Sequence, residues 1–293
     1  MLDIVRSPKV DYARELQFRL NRLNNLRFNP TLPSTHWREQ LAEVARLAVA
    51  EGKFLEGSRQ AVAARAAEAP TDPEGFISWF ERLKENGPGQ NDSLFSWLSE
   101  ECSMEQMKWF LTQEVAGEAG FEDLTALTQL KLPTRPKLEL ARNYWDEMGR
   151  GNPKAMHGPL LSALAEHLSL NPSPETTVTE ALALANTMAG LAANRRYAYH
   201  SVGALGVIEM TAPARSAATS AGLKRLGVRA GNRHYFALHA VLDVKHSMAW
   251  NAEAIKPLIA QDPEIAAAIA EGALIRLECG ARCFQRYRAE LKV

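Results

Sequence analysis

The chain has 293 residues, 46% of them hydrophobic, and its 34 basic residues balance 34 acidic ones to a formal net charge of zero. A chain of this length buries a substantial core in one large domain or two small ones, and a neutral balance without a Lys/Arg stripe argues against a nucleic-acid partner. The opening MLDIVRSPKVDYARE has no signal-like apolar run, and no stretch of about 18 apolar residues occurs, so the expectation is a cytoplasmic protein with no membrane partner.

Residues 1–102 read as helices broken by turn chemistry, near 11–27, 35–51, 56–68, 74–86 and 92–101. Asp72-Pro73 is an N-cap followed by Pro at the first helical position, and Asn86-Gly87-Pro88-Gly89 is a stop. No group of metal-ligand residue types occurs in this third, which reads as a helical cover or a homodimer surface. Trp79, Phe80, Phe95 and Trp97 fit a core role.

Ser103 and Gln106 form a capping box, and the spacing predicts a helix from there through Leu130. With Glu114 as origin, Met107, Phe110 and Phe121 fall within about 40° of it, so Glu114 centres the apolar face, with Glu118 about 40° and Glu122 about 80° away. A carboxylate inside an apolar stripe pairs with a buried cation such as Arg142 or binds a metal. Leu132-Pro133-Thr134-Arg135-Pro136 is a tight connection, so the helix KLELARNYWDEMG returns antiparallel and carries Glu147. A hairpin symmetric about Thr134 puts Glu147 level with Glu118. Gly149, Gly151 and Pro153 interrupt the chain before a helix bearing His157, while His167, among polar neighbours, belongs at the surface.

A long Ala- and Gly-rich helical region spans about 176–212, with Gly203 or Gly206 as kink positions and Pro213 as its end. Glu209 lies in the apolar run ALGVIEM, where it must either pair with an Arg such as Arg195 or Arg215 or bind a metal. In the helix from Tyr235 to Trp250, His239, Asp243 and His246 fall at about 0°, 40° and −20° on one face. Imidazole with carboxylate suits iron, manganese or zinc, and helical bundles build such sites from inward-facing side chains on several helices. A final helix spans about 264–291. The odd number of cysteines, and the x3 spacing of Cys279 and Cys283, fit neither a CxxC motif nor a zinc knuckle; Cys102, Cys279 and Cys283 read as reduced core thiols.

The set Asn143-Tyr144-Trp145-Asp146-Glu147-Met148-Gly149-x-Gly151, His157 ten residues after Glu147, a lone Glu209 and His239-x3-Asp243-x2-His246 resembles the heme-oxygenase-like di-iron oxidases and oxygenases, the iron-containing redox enzymes. The resemblance covers about 103–290. It implies an all-α, heme-oxygenase-like bundle over 103–293, with residues 1–102 an N-terminal helical extension packed on it. Position by position it implies Glu147, His157, Glu209, His239, Asp243 and His246 as metal ligands, plus a Glu from the preceding helix. Helical phase favours Glu114 for that Glu, hairpin symmetry favours Glu118, and Glu122 is the third choice.

The function so implied is a non-heme di-iron oxidoreductase that binds two Fe(II) per chain, with Mn as the alternative, and uses O2 to oxidise a small molecule. An amino acid or amine is the expected substrate class, and N-oxygenation, C–C cleavage, desaturation and hydroxylation are the reaction types. Arg195, Arg196, Tyr197 and Tyr199 are candidates to hold a substrate carboxylate. The competing reading is a non-catalytic bundle that serves binding or assembly, with its polar core satisfied by ion pairs. A cofactor-independent hydrolase would need a nucleophile, and the cysteines lie outside the His/Glu set.

Overall fold

In the computed structural model, which describes residues 8–117 and 120–293, the described residues form helices joined by short loops and no strand. The N-terminal third comprises α1 (Pro8–Phe28), α2 (Trp37–Ala66), α3 (Pro73–Asn86) and α4 (Ser93–Glu100). The predicted gap inside α2 does not occur: Gly52 and Gly57 sit within one helix. Each costs about 1 kcal/mol of helix propensity, and burial of Leu47, Leu55 and Val62 on the same helix outweighs that. Asp72 caps α3 by accepting from Gly75 N at 2.7 Å, as its position before Pro73 implied.

The second region opens with α5 (Met104–Gly117), started by the expected reciprocal bonds between Ser103 and Gln106. The single helix expected through Leu130 is two, because α6 (Phe121–Thr128) begins after Gly120, whose φ of 69° only glycine adopts without strain. After α7 (Thr134–Glu147) come α8 (His157–Leu168) and α9 (Thr179–Ala193). The break in the long region falls at Asn194, whose side chain caps the turn by accepting from Arg196 N, and not at Gly203 or Gly206. Helix α10 (Ala198–Arg225) then runs through Pro213, which interrupts its hydrogen-bond ladder without ending it. The chain finishes with α11 (His234–Ala249), a π-helical turn (Trp250–Ile255), α12 (Lys256–Gln261) and α13 (Ile265–Leu291).

The two long helices α10 and α13 approach until backbone meets backbone. A Cβ on Gly203 would sit 2.0 Å from Ile269 O, and one on Gly272 would sit 1.9 Å from His200 O. Two reciprocal glycines thus set the spacing, and one hydrophobic core runs from Leu55 on α2 to Leu291 on α13. Helix α1 is fastened to α9 and its approach by polar bonds: Asn24 donates to Asn186 Oδ1, Asn186 to Gln17 O, and Arg14 to the carbonyls of Pro174, Glu175 and Thr177. No described helix is long and apolar enough to cross a membrane.

Gly203→Ala or Gly272→Ala is expected to destabilise the fold by about 2 kcal/mol or more, because the added methyl meets backbone that cannot rotate away. Gly52→Ala, which faces open space, is expected to stabilise it by about 0.5–1 kcal/mol. Urea unfolding of the three variants measures both; equal effects would remove the packing argument.

Candidate metal centre

Helix α7 delivers Glu147 at its C-terminal end, 3% exposed and one turn after Asn143. The chain then reverses through Gly149, Arg150 and Gly151, all at positive φ. A Cβ on Gly149 would lie 2.5 Å from Ala155 C, so only glycine permits the tight return that starts α8 at His157. There His157 Nδ1 reaches 2.5 Å from Glu147 Oε2.

Helix α10 contributes Glu209 and α11 contributes His239, Asp243 and His246. The rings of His157 and His239 are edge-to-face with centroids 4.6 Å apart, so helices distant in sequence meet here. His239 Nδ1 lies 2.7 Å from the carbonyl of Tyr235, four residues earlier on its own helix. His246 Nδ1 is 3.4 Å from Glu209 Oε2 and 4.0 Å from Asp243 Oδ1, while its Nε2 faces Asp146 Oδ2 at 3.2 Å. Asn143 Nδ2 donates to Glu209 Oε1 at 2.6 Å.

Two sets of three side chains result, each with ligand atoms within 4.8 Å of one another: Glu147, His157 and His239, and Glu147, Glu209 and His246. Glu147 belongs to both. Burial, with the nearby charge of Glu209, raises the Glu147 carboxyl well above its ordinary range. Burial lowers His157 to about 4 and, with His157 close by, His239 to about 4. Both rings are therefore neutral at neutral pH, the form that ligates metals. Burial alone would lower His246, but Glu209 and Asp146 outweigh it and hold the ring at about 9. A protonated His246 thus supplies, between two carboxylates, the positive charge that a metal cation would bring. The donors fit a metal on a second count: the buried Nδ1 atoms of His157 and His246 reach no hydrogen-bond partner of normal geometry among the described residues.

All six residues expected from Glu147 to His246 come together around one cavity or its immediate wall. Glu114 joins neither set; its carboxyl lies in the field of Arg215 and Arg276 near Tyr287, and burial raises it. Its central place on the apolar stripe reflects that cation pair. Glu118 lies outside the described residues. Glu122, which the unbroken-helix geometry placed farthest off the face, turns inward once α6 starts afresh: its Oε1 is 2.8 Å from where a Gly158 Cβ would be, beside His157. Its charge acts on both Glu147 and His157.

The candidates for holding a substrate carboxylate are used elsewhere. Arg195 donates to the carbonyls of Leu127, Thr128 and Leu130, and Arg196 and the Tyr197 hydroxyl both bond Glu56. Tyr199 packs against the core. Sequence reading placed Asn143 and Asp146 in the motif around Glu147 but gave neither a role. Helical phase could have given Asn143 one, since it stands four residues before Glu147 on the same face; for Asp146 phase gives none, because its partner His246 is on another helix.

The cavity, of about 120 Å3, is lined at this centre by Glu147, Glu209, His239 and Asp243, and otherwise mainly by apolar side chains. A family model described as iron-containing redox enzyme matches residues 108–281, the span that carries every residue of both sets. No curated protein matches the chain.

His239→Ala and His246→Ala are each expected to lose bound iron while the helical fold survives on its apolar core. Asn143→Ala is expected to keep the fold and weaken iron binding about 10–100-fold, through the loss of Glu209 orientation. Iron per chain and helical circular dichroism on the same samples check both; full iron content in the His variants would remove the assignment.

Proposed function

The chain belongs to the iron-containing redox enzyme family, and from that premise we propose that it is a non-heme di-iron oxidoreductase that uses O2 to oxidise a small molecule. The observation that carries the proposal is the pair of three-residue sets joined at Glu147, since one carboxylate common to two ligand sets suits two neighbouring metal ions. Glu147, His157 and His239 would hold one iron, and Glu147, Glu209 and His246, with Asp243 beside them, the other. Glu122 is the carboxylate of the preceding helix best placed to complete the first set, in preference to Glu114. When bound, two Fe(II) ions supply the electrons with which O2 is activated, and mixed Glu/His ligation suits that chemistry.

The protein's own part is orientation and the exclusion of water. If His239 donates its Nδ1 proton to the Tyr235 carbonyl, the Nε2 lone pair is left to ligate. Asn143 fixes the Glu209 carboxylate by donating to one oxygen, and Asp146 fixes the His246 ring from the side opposite Glu209. Apolar walls, Leu161, Leu184, Met188 and Phe236 among them, exclude water from the reacting groups. An amino acid or amine is the substrate class that the family resemblance supports, with N-oxygenation, C–C cleavage, desaturation or hydroxylation as the outcome.

Anaerobic titration with Fe(II), followed by admission of O2, tests this. Two irons per chain and an optical change on exposure to O2 are expected, with Mn(II) competing for the same sites. A chain that binds no metal would instead be the ion-paired bundle of the competing reading. Glu122→Ala is expected to lower iron content more than Glu114→Ala, and the reverse order would exchange their roles.

A further inference from the structure

The same cavity that reaches the metal-binding groups also reaches two arginines that the proposed metal chemistry does not use. Arg215, on α10, and Arg276, on α13, both line it together with Glu114. No carboxylate lies within ion-pair distance, 4.0 Å, of either guanidinium among the described residues. Arg276 Nε has no hydrogen-bond partner there. Arg215 spends one donor on Thr211 Oγ1 at 3.0 Å, and its guanidinium sits over the Phe284 ring at 5.5 Å.

These charges sit where isolated cations are disfavoured. Burial, with the like charge of Arg276 nearby, lowers Arg215 to about 9, and Glu114 offsets this only in part. Space has nevertheless been kept for the second head group: a Cβ on Gly280 would lie 2.9 Å from Arg276 Nη1, so the bare glycine one turn along α13 accommodates it. Apart from Glu147, Glu209 and Asp243 at the metal-binding end, Glu114 is the one carboxylate of this lining among the described residues, so at this end two guanidiniums face one carboxylate beside a wall that includes Phe121, Leu161, Leu184, Met188, Phe236 and Phe284. A half-buried net cation next to apolar surface is a recognition site for an anion that carries an apolar body.

We infer that Arg215 and Arg276 bind the carboxylate of the substrate, with its apolar portion extending along this wall towards Glu147, Glu209 and His239. The inference rests on the oxidoreductase reading for the identity of the far end as the reacting end. A single negative charge matches the excess, which favours a carboxylate over a doubly charged phosphate monoester. Arg215 is six residues beyond Glu209 on α10, a rise of about 9 Å. In this pose the acid group lies at the arginine end of the cavity, and the substrate presents a part remote from it to the metal centre.

Calorimetric titration of the iron-loaded chain, kept free of O2, with straight-chain carboxylates from butanoate to decanoate tests the inference, using the matching amides and alkyl phosphates as controls. At least one acid should bind about tenfold or more tightly than its amide and its phosphate, as the loss of a charge-assisted pair implies. Arg215→Met and Arg276→Met should each reduce that affinity about tenfold while leaving amide binding and iron content unchanged. Arg276→Lys, which keeps the charge, should retain part of it and serves if a Met variant does not fold.

A series in which no acid outbinds its amide overturns the inference, as do folded Met variants that bind the acid like the parent chain. Tighter binding of the phosphate would also overturn it. Iron measured on the same samples separates the two readings: acid selectivity without iron keeps the arginine site and removes the di-iron centre, whereas two irons without selectivity does the reverse.

Discussion

Helices α10 and α13 touch along their backbones at Gly203 and Gly272, and most of what the interior does is arranged by that contact. Side chains on either helix cannot fill the seam, so functional groups lie to the sides of it. Glu209 and Arg215 project from α10 and Arg276 from α13 into one cavity. A wider seam would separate the two guanidiniums from each other and loosen the wall that carries Glu209. Trp250 holds α10 from another direction: its indole donates to Val202 O at 3.1 Å and packs where a Cβ on Gly206 would be, 2.7 Å away. Two bare positions on α10, Gly203 against backbone and Gly206 against an indole, thus serve approach and not flexibility.

The centre concentrates carboxylates and imidazoles at a depth where uncompensated charge is expensive. The protein's answer without metal is visible in the ion pairs, in which His246 lies between Glu209 and Asp146. In the Glu147, His157 and His239 set His157 also meets a carboxylate, Glu147, but burial keeps both rings neutral. The two halves of the centre therefore differ in how much positive charge each already holds.

Much of this could be read from residue order. His239, Asp243 and His246 share a face because helical phase is fixed over eight residues, and Glu147 and His157 are brought together by the three positive-φ residues of a Gly-rich turn. Caps at Asp72 and Ser103 were equally legible, since a cap is a local bond. The choice among the carboxylates of the preceding helix was not, because it assumed constant rise from Glu114 to Glu122 and a single φ at Gly120 breaks that count. Pro213 misled for a similar reason: a missing amide costs a few kcal/mol, and the burial of α10 outweighs it. Arg215 was read only as a possible partner of Glu209, and its pairing with Arg276 carries no sequence signal, since only the α10–α13 contact makes them neighbours.

The π-helical turn Trp250–Ile255 gives the helix of His239, Asp243 and His246 a second, independent orientation. Steps of three and four residues from His246 would carry the inward face on through Trp250, Glu253 and Pro257. The wide turn absorbs one extra residue, and Ala254 and Leu258 are fully buried while the Glu253 side chain stays 42% exposed and pairs with Arg135. The helical phase that His239, Asp243 and His246 require is thereby uncoupled from the phase that the hydrophobic core requires. Removing that one residue would restore a continuous α-helix and set the two demands against each other, so that either the imidazoles or the core would have to rotate out of place.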